Sequence, residues 1–349
     1  MRIDALETPV VLIDIDKVEA NLKRWQDYCN KHRLANRPHI KTHKVVELAR
    51  RQLELGAAGL TCQKIGEAEV MADAGFDDLF LPYNILGEAK LRRVIDLARR
   101  VRLSLTCDSV QVAEGLSRAA AAAGLTLNVL VECESGQRRC GVQTPEAACA
   151  LAQRIDQLPG LAFGGLMTYP SSAAAAAFVR ETLALLAGSG LKARVVSGGG
   201  TPAMWHAHDW PEFTEHRAGT YVYHDRYTVK HGAATFDDCA LRVLTTVVSR
   251  PTPERAVLDA GSKTLTSDLI GLEGHGLIVG APQAQIVRLS EEHGVVESQD
   301  GPLPFAIGDR VEVIPNHACP VSNLFDQVVV RSGDEVMNTW QVAARGRVQ

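Results

Sequence analysis

The sequence lacks any apolar run that approaches the roughly 20 residues of a membrane-spanning helix, and its start lacks the apolar core of a signal peptide. Aromatic residues make up only 5% of the 349 residues, and the net charge of -4 provides no basic field. Without stacking aromatics or excess positive charge, neither nucleic acid nor a membrane surface is expected as a partner. We expect a cytoplasmic protein.

The eight cysteines are scattered along the chain without a close CxxC pair. In a long chain this distribution argues against a disulfide framework, and most of the cysteines are expected to be small buried hydrophobic residues. Hydrophobic residues at 46% and charged residues at 22% are typical of a globular protein.

A short apolar segment followed by a stretch rich in Ala, Leu, Glu and Arg recurs eight times. Alternating strands and helices of this number favour a closed (β/α)8 barrel of TIM type over an open doubly wound sheet. The strands are predicted at residues 37–41, 59–63, 78–83, 102–106, 126–132, 162–168, 194–198 and 215–222, within a domain at residues 16–235.

After about residue 236 the helical period disappears, and short β-branched segments alternate with Gly, Pro and Asp turns. This pattern predicts a C-terminal antiparallel β domain. The apolar segment at residues 8–14 is a further strand that could complete it. The second domain is therefore predicted at residues 1–15 and 236–349.

The segment RPHIKTHK places Lys41 at the predicted end of the first barrel strand, beside two histidines and a second lysine. Burial and like charge lower the pKa of a lysine, as imine chemistry requires. A solvated basic turn is the alternative explanation. Because the active side of a barrel is the carboxyl end of its strands, the position of Lys41 favours the chemical role.

The glycine-rich segment SGGGT at residues 197–201 ends the seventh predicted strand and precedes Pro202. Such a segment can bring backbone N–H groups to an anion at a helix N-terminus, although glycine runs also form plain turns. Strands seven and eight of a barrel commonly hold phosphate. The residues predicted around it are Ser197, Gly199, Gly200, Thr201, Gly219, Thr220 and Tyr221.

A phosphate at one side of the barrel mouth and a reactive lysine at the other fit the two ends of pyridoxal 5′-phosphate (PLP). Arg139 could reach the phenolic oxygen or ring of this cofactor, or could be a surface arginine. Tyr169 could pack on the ring or approach the substrate, or could be an ordinary tyrosine of the barrel rim.

Nearly the whole chain resembles the fold-type III PLP enzymes, in particular the D-threonine aldolase and D-serine dehydratase group, which is related to alanine racemase. The resemblance rests on RPHIKTHK, QRRCGV, SGGGT, AGTYVYHD, DAGSK and PNHACP. It implies that Lys41 is linked covalently to the cofactor and that Arg139 and Tyr169 flank it. It also implies a homodimer and a small D-amino acid as substrate.

In PNHACP, His317 and Cys319 would point to the same side of a strand and could share one metal ion. A packed histidine beside a buried cysteine is the alternative. The resemblance favours a divalent metal, and the soft sulfur favours zinc, with manganese or magnesium as alternatives. One departure from the family is the absence of a histidine shortly after Tyr169; His206 or His208 could substitute for it.

The resemblance implies a PLP- and metal-dependent lyase of the D-threonine aldolase type, with Lys41, Tyr169, His317 and Cys319 as catalytic residues. The alternative reaction is that of a D-serine or 3-hydroxy-D-aspartate dehydratase. An amino-acid racemase would share the fold without a need for a metal, and a PLP carrier without catalysis would lack the second domain.

Overall fold

The computed structural model describes the whole chain, Met1–Gln349. The chain divides into two compact units. The barrel unit comprises Trp25–Lys41, Leu48–Gly219 and Arg347–Gln349. The β unit comprises Met1–Arg24, Thr42–Glu47 and Thr220–Gly346.

Ten α-helices form, and none combines the length and the apolar character that a membrane span requires. The helices are α1 (Ile15–His32), α2 (Val46–Glu54), α3 (Ile65–Asp73), α4 (Glu88–Ala98), α5 (Val110–Ala122), α6 (Pro145–Gln157), α7 (Ala173–Gly188), α8 (Arg226–Lys230), α9 (Ser262–Leu265) and α10 (Ala318–Leu324).

The barrel unit contains eight parallel strands, in the order β2-β9-β8-β7-β6-β5-β4-β3. A parallel bridge between His39 and Thr61 joins the two edges of this sheet, so the predicted (β/α)8 barrel is confirmed. The strands are β2 (Ala35–Asn36), β3 (Leu60–Thr61), β4 (Asp78–Leu81), β5 (Arg102–Cys107), β6 (Leu127–Cys133), β7 (Leu161–Thr168), β8 (Val195–Gly199) and β9 (Glu215–Arg217).

Four predicted strands, the first, second, third and eighth, are shorter than expected, and the first and eighth end the farthest before their predicted ends. The first ends with ladder hydrogen bonds at His39, and the chain then forms a 3-10 turn at Ile40–Thr42. The eighth ends at Arg217, and a second 3-10 turn follows at Thr220–Val222. Lys41 therefore lies in a turn just beyond the first strand.

Local sequence explains the helices of the barrel unit. The side chains of Ser109, Thr144 and Ser172 accept hydrogen bonds from the first-turn N–H groups of α5, α6 and α7. Inside the barrel, Phe80, Leu130 and Met167 form an apolar cluster. The strands thus contribute the apolar core of the barrel. The chain segments that follow them are available for function.

The β unit contains a nine-stranded sheet in the order β11-β14-β13-β12-β15-β10-β1-β16-β17. Because β10 also pairs with β11, six of the strands close into a ring, and the predicted antiparallel β domain is confirmed. The strands are β1 (Val10–Asp14), β10 (Leu241–Thr252), β11 (Arg255–Leu258), β12 (Leu277–Ile278), β13 (Ala284–Leu289), β14 (Gly294–Ser298), β15 (Arg310–Ile314), β16 (Gln327–Ser332) and β17 (Glu335–Gln341).

The early strand β1 belongs to this sheet, as the sequence suggested. It pairs antiparallel with β10 and parallel with β16. Leu12, Leu244 and Val329 form a buried apolar cluster across these three strands. Burial of these side chains, which come from both ends of the chain, stabilises the sheet.

Replacing Gly165 by alanine is expected to lower the free energy of unfolding by at least about 3 kcal/mol, the upper end for overpacked sites. Gly165 has a φ of 146°, and a Cβ there would lie 1.9 Å from the carbonyl oxygen of Val195 on the paired strand β8. Urea unfolding of the wild-type protein and the variant measures the effect.

Gly188, at the end of α7, is the matched control, because no atom lies within 4 Å of a Cβ built there. Gly188→Ala should change the free energy of unfolding by less than about 1 kcal/mol, and in the stabilising direction. Equal effects of the two substitutions would contradict the close approach of β7 and β8.

Candidate active site

Lys41 and Arg139 lie against the same tyrosine ring in the barrel unit. The Nζ atom of Lys41 is 5.9 Å from the centroid of the Tyr169 ring, and the guanidinium carbon of Arg139 is 5.1 Å from it. Tyr169 directly follows β7, at the carboxyl end of the barrel strands. The structure thus brings together the three residues that the sequence predicted around the cofactor ring.

His39 is a residue of this site that the sequence analysis did not single out. Its Nδ1 atom accepts the backbone N–H of Lys41 at 3.4 Å, and its Nε2 atom lies 3.0 Å from Oε1 of Gln63. Burial, and then the charge of Lys41, hold the pKa of His39 well below its usual value. The ring is therefore neutral and fixes the backbone of Lys41 without adding charge.

The glycine-rich loop after β8 is already partly hydrogen-bonded within the barrel unit. The N–H of Gly199 donates to Oγ of Ser171 at 2.9 Å, and the N–H of Gly200 donates to the carbonyl of Arg217 at 3.1 Å. The hydroxyl of Thr201 is buried without a partner. This hydroxyl is therefore available to a ligand.

Arg217 on β9 holds this loop from inside the barrel and is not among the residues predicted from the sequence. Its guanidinium is buried and donates to the carbonyl oxygens of Gly198 at 2.7 Å and Thr168 at 2.9 Å. Burial lowers the pKa of Arg217 to about 10, although Glu215 and Glu132 act in the opposite direction. Arg217 remains charged at neutral pH and holds together the ends of β7 and β8.

In the β unit, His317 and Cys319 lie side by side, but not on a strand. His317 is the N-cap residue of α10, and Cys319 lies in the first turn of that helix. The prediction that they share one side of a strand was wrong in its geometry. The Cys319 side chain is nevertheless close enough to the imidazole of His317 to raise its pKa, so the two side chains do meet.

A carboxylate holds the other side of the imidazole. Nδ1 of His317 is 2.7 Å from Oδ2 of Asp268, a contact the sequence did not predict. Burial disfavours the charged ring, but the interactions with Cys319 and then Asp268 outweigh it and raise the pKa of His317 to about 9.

Hydroxyl groups surround the Cys319 sulfur within the β unit. Oγ1 of Thr42 is 3.2 Å and Oγ1 of Thr220 is 3.7 Å from Sγ. The hydroxyl of Tyr223 is buried without a hydrogen-bond partner, and burial, followed by the charge of Cys319, raises its pKa. Of the remaining predicted phosphate residues, Gly219 ends the barrel unit, and Thr220 and Tyr221 lie in the 3-10 turn at Thr220–Val222.

Comparison with known families matches both parts of the chain. Residues 13–227 match the alanine racemase N-terminal domain, and residues 240–331 match a putative serine dehydratase domain. A D-threonine aldolase of Arthrobacter sp is 35% identical over 98% of this chain and 93% of its own length. The chain belongs to the D-threonine aldolase and D-serine dehydratase family. This family consists of fold-type III PLP-dependent lyases.

Further members of the lyase family also match over nearly their full length. A D-threo-3-hydroxyaspartate dehydratase of Delftia sp. is 29% identical over 96% of this chain and 97% of its own length. A solved D-threonine aldolase from Filomicrobium marinum superposes with a TM-score of 0.92 at 32% identity, covering 100% of this chain and 98% of the other.

Mutants of a D-threo-3-hydroxyaspartate dehydratase have also been solved. A cysteine-to-alanine mutant in the metal-free form and a histidine-to-alanine mutant both superpose with a TM-score of 0.89 at 27% identity. They cover 98% of this chain and 98% and 96% of theirs. Their two mutated positions are two residues apart, which is also the spacing of His317 and Cys319.

The side chains proposed as substitutes for a family histidine after Tyr169 are engaged elsewhere. His208 Nδ1 lies 2.5 Å from the hydroxyl of Tyr28, and His206 Nδ1 lies 3.1 Å from Asp209 Oδ2. The position after Tyr169 is occupied by Pro170, so this lyase family member departs from the pattern there.

Glu132, at the carboxyl end of the barrel in this lyase, is a buried acid that the sequence analysis did not assign. Burial, and then the charge of Asp108, raise its pKa to about 7, although Arg139 and Arg217 act in the opposite direction. The native protein therefore retains a proton on Glu132 that the unfolded chain releases above about pH 4.5.

Glu132 should make the protein less stable as the pH rises, and replacing it by glutamine should abolish this contribution. Because the native state binds more protons between about pH 4.5 and 7, the free energy of unfolding falls over this window. The full effect is about 3 kcal/mol, at about 1.4 kcal/mol per pKa unit. Unfolding curves from pH 5 to 8 should slope downward more steeply for the wild-type protein than for Glu132→Gln.

The exposed Glu88 provides the control for this comparison, because its side chain is 93% exposed. Glu88→Gln should leave the pH dependence of unfolding as it is in the wild-type protein. Identical slopes for all three proteins would show that Glu132 does not titrate in this window.

Proposed function

We propose that the protein is a PLP- and divalent-metal-dependent lyase that cleaves D-3-hydroxy amino acids to glycine and an aldehyde, as a D-threonine aldolase does. Similarity over the full length to D-threonine aldolases supports the reaction and the substrate class. The D stereochemistry follows from those relatives alone.

The observation that carries the proposal is the adjacency of the His317 imidazole and the Cys319 sulfur in the β unit. A nitrogen and a sulfur donor side by side fit a divalent metal, and two protein ligands leave positions open for a substrate. The sulfur favours zinc, with manganese or magnesium as alternatives. A metal held by these residues would act as a Lewis acid that makes the 3-hydroxyl of the substrate easier to deprotonate.

The barrel unit offers groups that fit PLP. The amine of Lys41 would hold the cofactor and move a proton, while Arg139 and Tyr169 would orient the cofactor ring. The unpartnered Thr201 hydroxyl would bind the phosphate, in a loop with Ser197, Gly199 and Gly200. The phosphate residues predicted from the sequence also include Gly219 and, in the β unit, Thr220 and Tyr221. When bound, PLP supplies an electron sink for the charge that develops at Cα.

Within this proposal, His39 keeps the Lys41 backbone fixed and adds no charge of its own. Arg217 keeps the ends of β7 and β8 in register and holds the loop that contains Gly198. These two residues would preorganise the site without contacting the substrate.

The second candidate is a dehydratase that converts a D-3-hydroxy amino acid to a keto acid and ammonia. The residue that favours it is Cys319. A dehydratase relative has a cysteine two residues after a histidine, and the structure of its cysteine-to-alanine mutant is metal-free. The match of residues 240–331 to a putative serine dehydratase domain supports the same reading. Lys41 would then remove the α proton, and the hydroxyl would leave as water.

We also propose the wider assignments that accompany this function. Residues 16–235 would form the cofactor-binding domain, and residues 1–15 and 236–349 would form the domain that carries the metal motif. The protein would act as a homodimer, as the family resemblance implies.

The two reactions differ in their products. We would incubate the purified protein, reconstituted with PLP and zinc, with D-threonine, D-serine and D-3-hydroxyaspartate, and assay glycine, aldehyde, keto acid and ammonia. An aldolase yields glycine and acetaldehyde from D-threonine, and L-threonine serves as the stereochemical control. Pyruvate and ammonia from D-serine, without glycine from D-threonine, would reject the aldolase and select the dehydratase.

A further inference from the structure

The segment just before His317 is hydrogen-bonded through its backbone to another part of the β unit. The carbonyl oxygens of Pro315 and Asn316 accept the N–H groups of Arg226 and Tyr227, at 3.1 Å each. The Asn316 side chain donates to the carbonyl of Gly274 at 2.8 Å. The residues just before His317 therefore have a fixed path.

A buried carboxylate fixes the residue between the two metal-binding candidates. Asp225 is fully buried, and its Oδ2 atom accepts the backbone N–H of Ala318 at 2.9 Å. Its Oδ1 atom accepts the N–H of Thr228 at 2.9 Å, in the first turn of α8. One side chain thus joins the start of α8 to the start of α10.

A second carboxylate fixes the imidazole itself. Oδ2 of Asp268 lies 2.7 Å from Nδ1 of His317, while its Oδ1 atom accepts the N–H of Ile270 at 3.1 Å. With both oxygens engaged, the Asp268 side chain has a defined orientation. With Nδ1 directed at the carboxylate, Nε2 is the nitrogen that would bind a metal ion, and it would lose its proton on binding.

We propose that Asp225 and Asp268 are positioning residues of the metal site, Asp225 through the backbone at Ala318 and Asp268 through the ring of His317. The inference rests on the proposed function, because it takes His317 and Cys319 as the metal ligands. Each oxygen of the two carboxylates accepts one N–H group of the β unit, which assigns both residues a positioning role.

The test is a zinc titration of the full-length, PLP-loaded protein after removal of metal, in competition with a chromophoric chelator. Asp268→Ala is expected to weaken zinc binding about 10- to 100-fold, the usual effect of losing such a partner. Asp268→Asn should recover part of the loss, because the amide oxygen can still accept the proton on Nδ1. Asp225→Asn should also weaken zinc binding, since an amide presents only one acceptor oxygen to two N–H groups.

Cobalt provides a readout that a merely structural role would not change. The visible spectrum of the cobalt-loaded protein should differ between Asp268→Ala and the wild-type protein, and should return toward the wild type in Asp268→Asn. The Asp268 side chain is 43% exposed, so its replacement should leave folding intact even if Asp225→Asn does not fold. Asp300→Ala, which alters another exposed acidic loop residue of the β unit, should leave zinc affinity unchanged.

Two results would overturn the inference in distinguishable ways. If His317→Ala loses zinc while Asp268→Ala and Asp225→Asn, both folded, bind it as tightly as the wild type, the carboxylates do not position the site. If the wild-type protein and His317→Ala bind zinc equally, the metal assignment in the proposed function fails first, and this inference fails with it.

Discussion

Replacing Lys41 by alanine should remove the cofactor link and lower turnover by at least about 10³-fold, within the range for loss of a positioned proton-transfer group. In the barrel unit Lys41 lies against the Tyr169 ring, and its backbone is fixed by a neutral histidine. The purified variant, mixed with PLP, should show no yellow chromophore that borohydride fixes to the protein. Absorbance spectra and mass measurement after borohydride treatment provide the check.

Lys64 is the matched control for this experiment. It also follows a barrel strand, and its ammonium lies 4.0 Å from the centroid of another tyrosine ring, that of Tyr83. Lys64→Ala should retain the chromophore, and Lys41→Arg should lose it although the positive charge is kept. A fixed chromophore and undiminished turnover in Lys41→Ala would refute the assignment of this lysine.

The alternation of segments in the sequence was sufficient to predict the barrel, because it reflects local periodicity and burial. The ends of the strands were harder to predict from the sequence. The first strand was predicted to include Lys41, but its ladder bonds stop at His39, where partners on neighbouring strands run out. The strand β14 (Gly294–Ser298) was not predicted, since a short segment between polar stretches becomes a strand only through pairing with β11 and β13.

The site was predictable in its residue types and less so in its geometry. The sequence indicated that His317 and Cys319 belong together, yet it placed them on a strand. The structure has a helix start there, and the Asp225 carboxylate accepts the N–H of Ala318 in its first turn. Asp225 lies 93 positions from Ala318 and Asp268 lies 49 from His317, so no local pattern could reveal either contact.

Removal of metal should lower turnover by about 10²- to 10⁴-fold and leave PLP bound, because a Lewis acid contributes several kcal/mol to such a reaction. The expected ligands are in the β unit, whereas Lys41, Arg139 and Tyr169 belong to the barrel unit. Activity assays after chelation, with the PLP absorbance recorded in parallel, test whether metal can be removed without loss of PLP. Added zinc should restore the wild-type enzyme but not His317→Ala or Cys319→Ala.

The identity of the ligand at position 319 should then set which metal restores activity. In Cys319→Asp a hard carboxylate replaces the soft sulfur, so the metal preference should shift from zinc toward manganese or magnesium. Cys140→Ala, at an exposed cysteine of the barrel unit, should behave as the wild type does. If activity survives exhaustive chelation in the wild-type protein, the imidazole and the sulfur do not serve a metal, and their contact would require an explanation from packing alone.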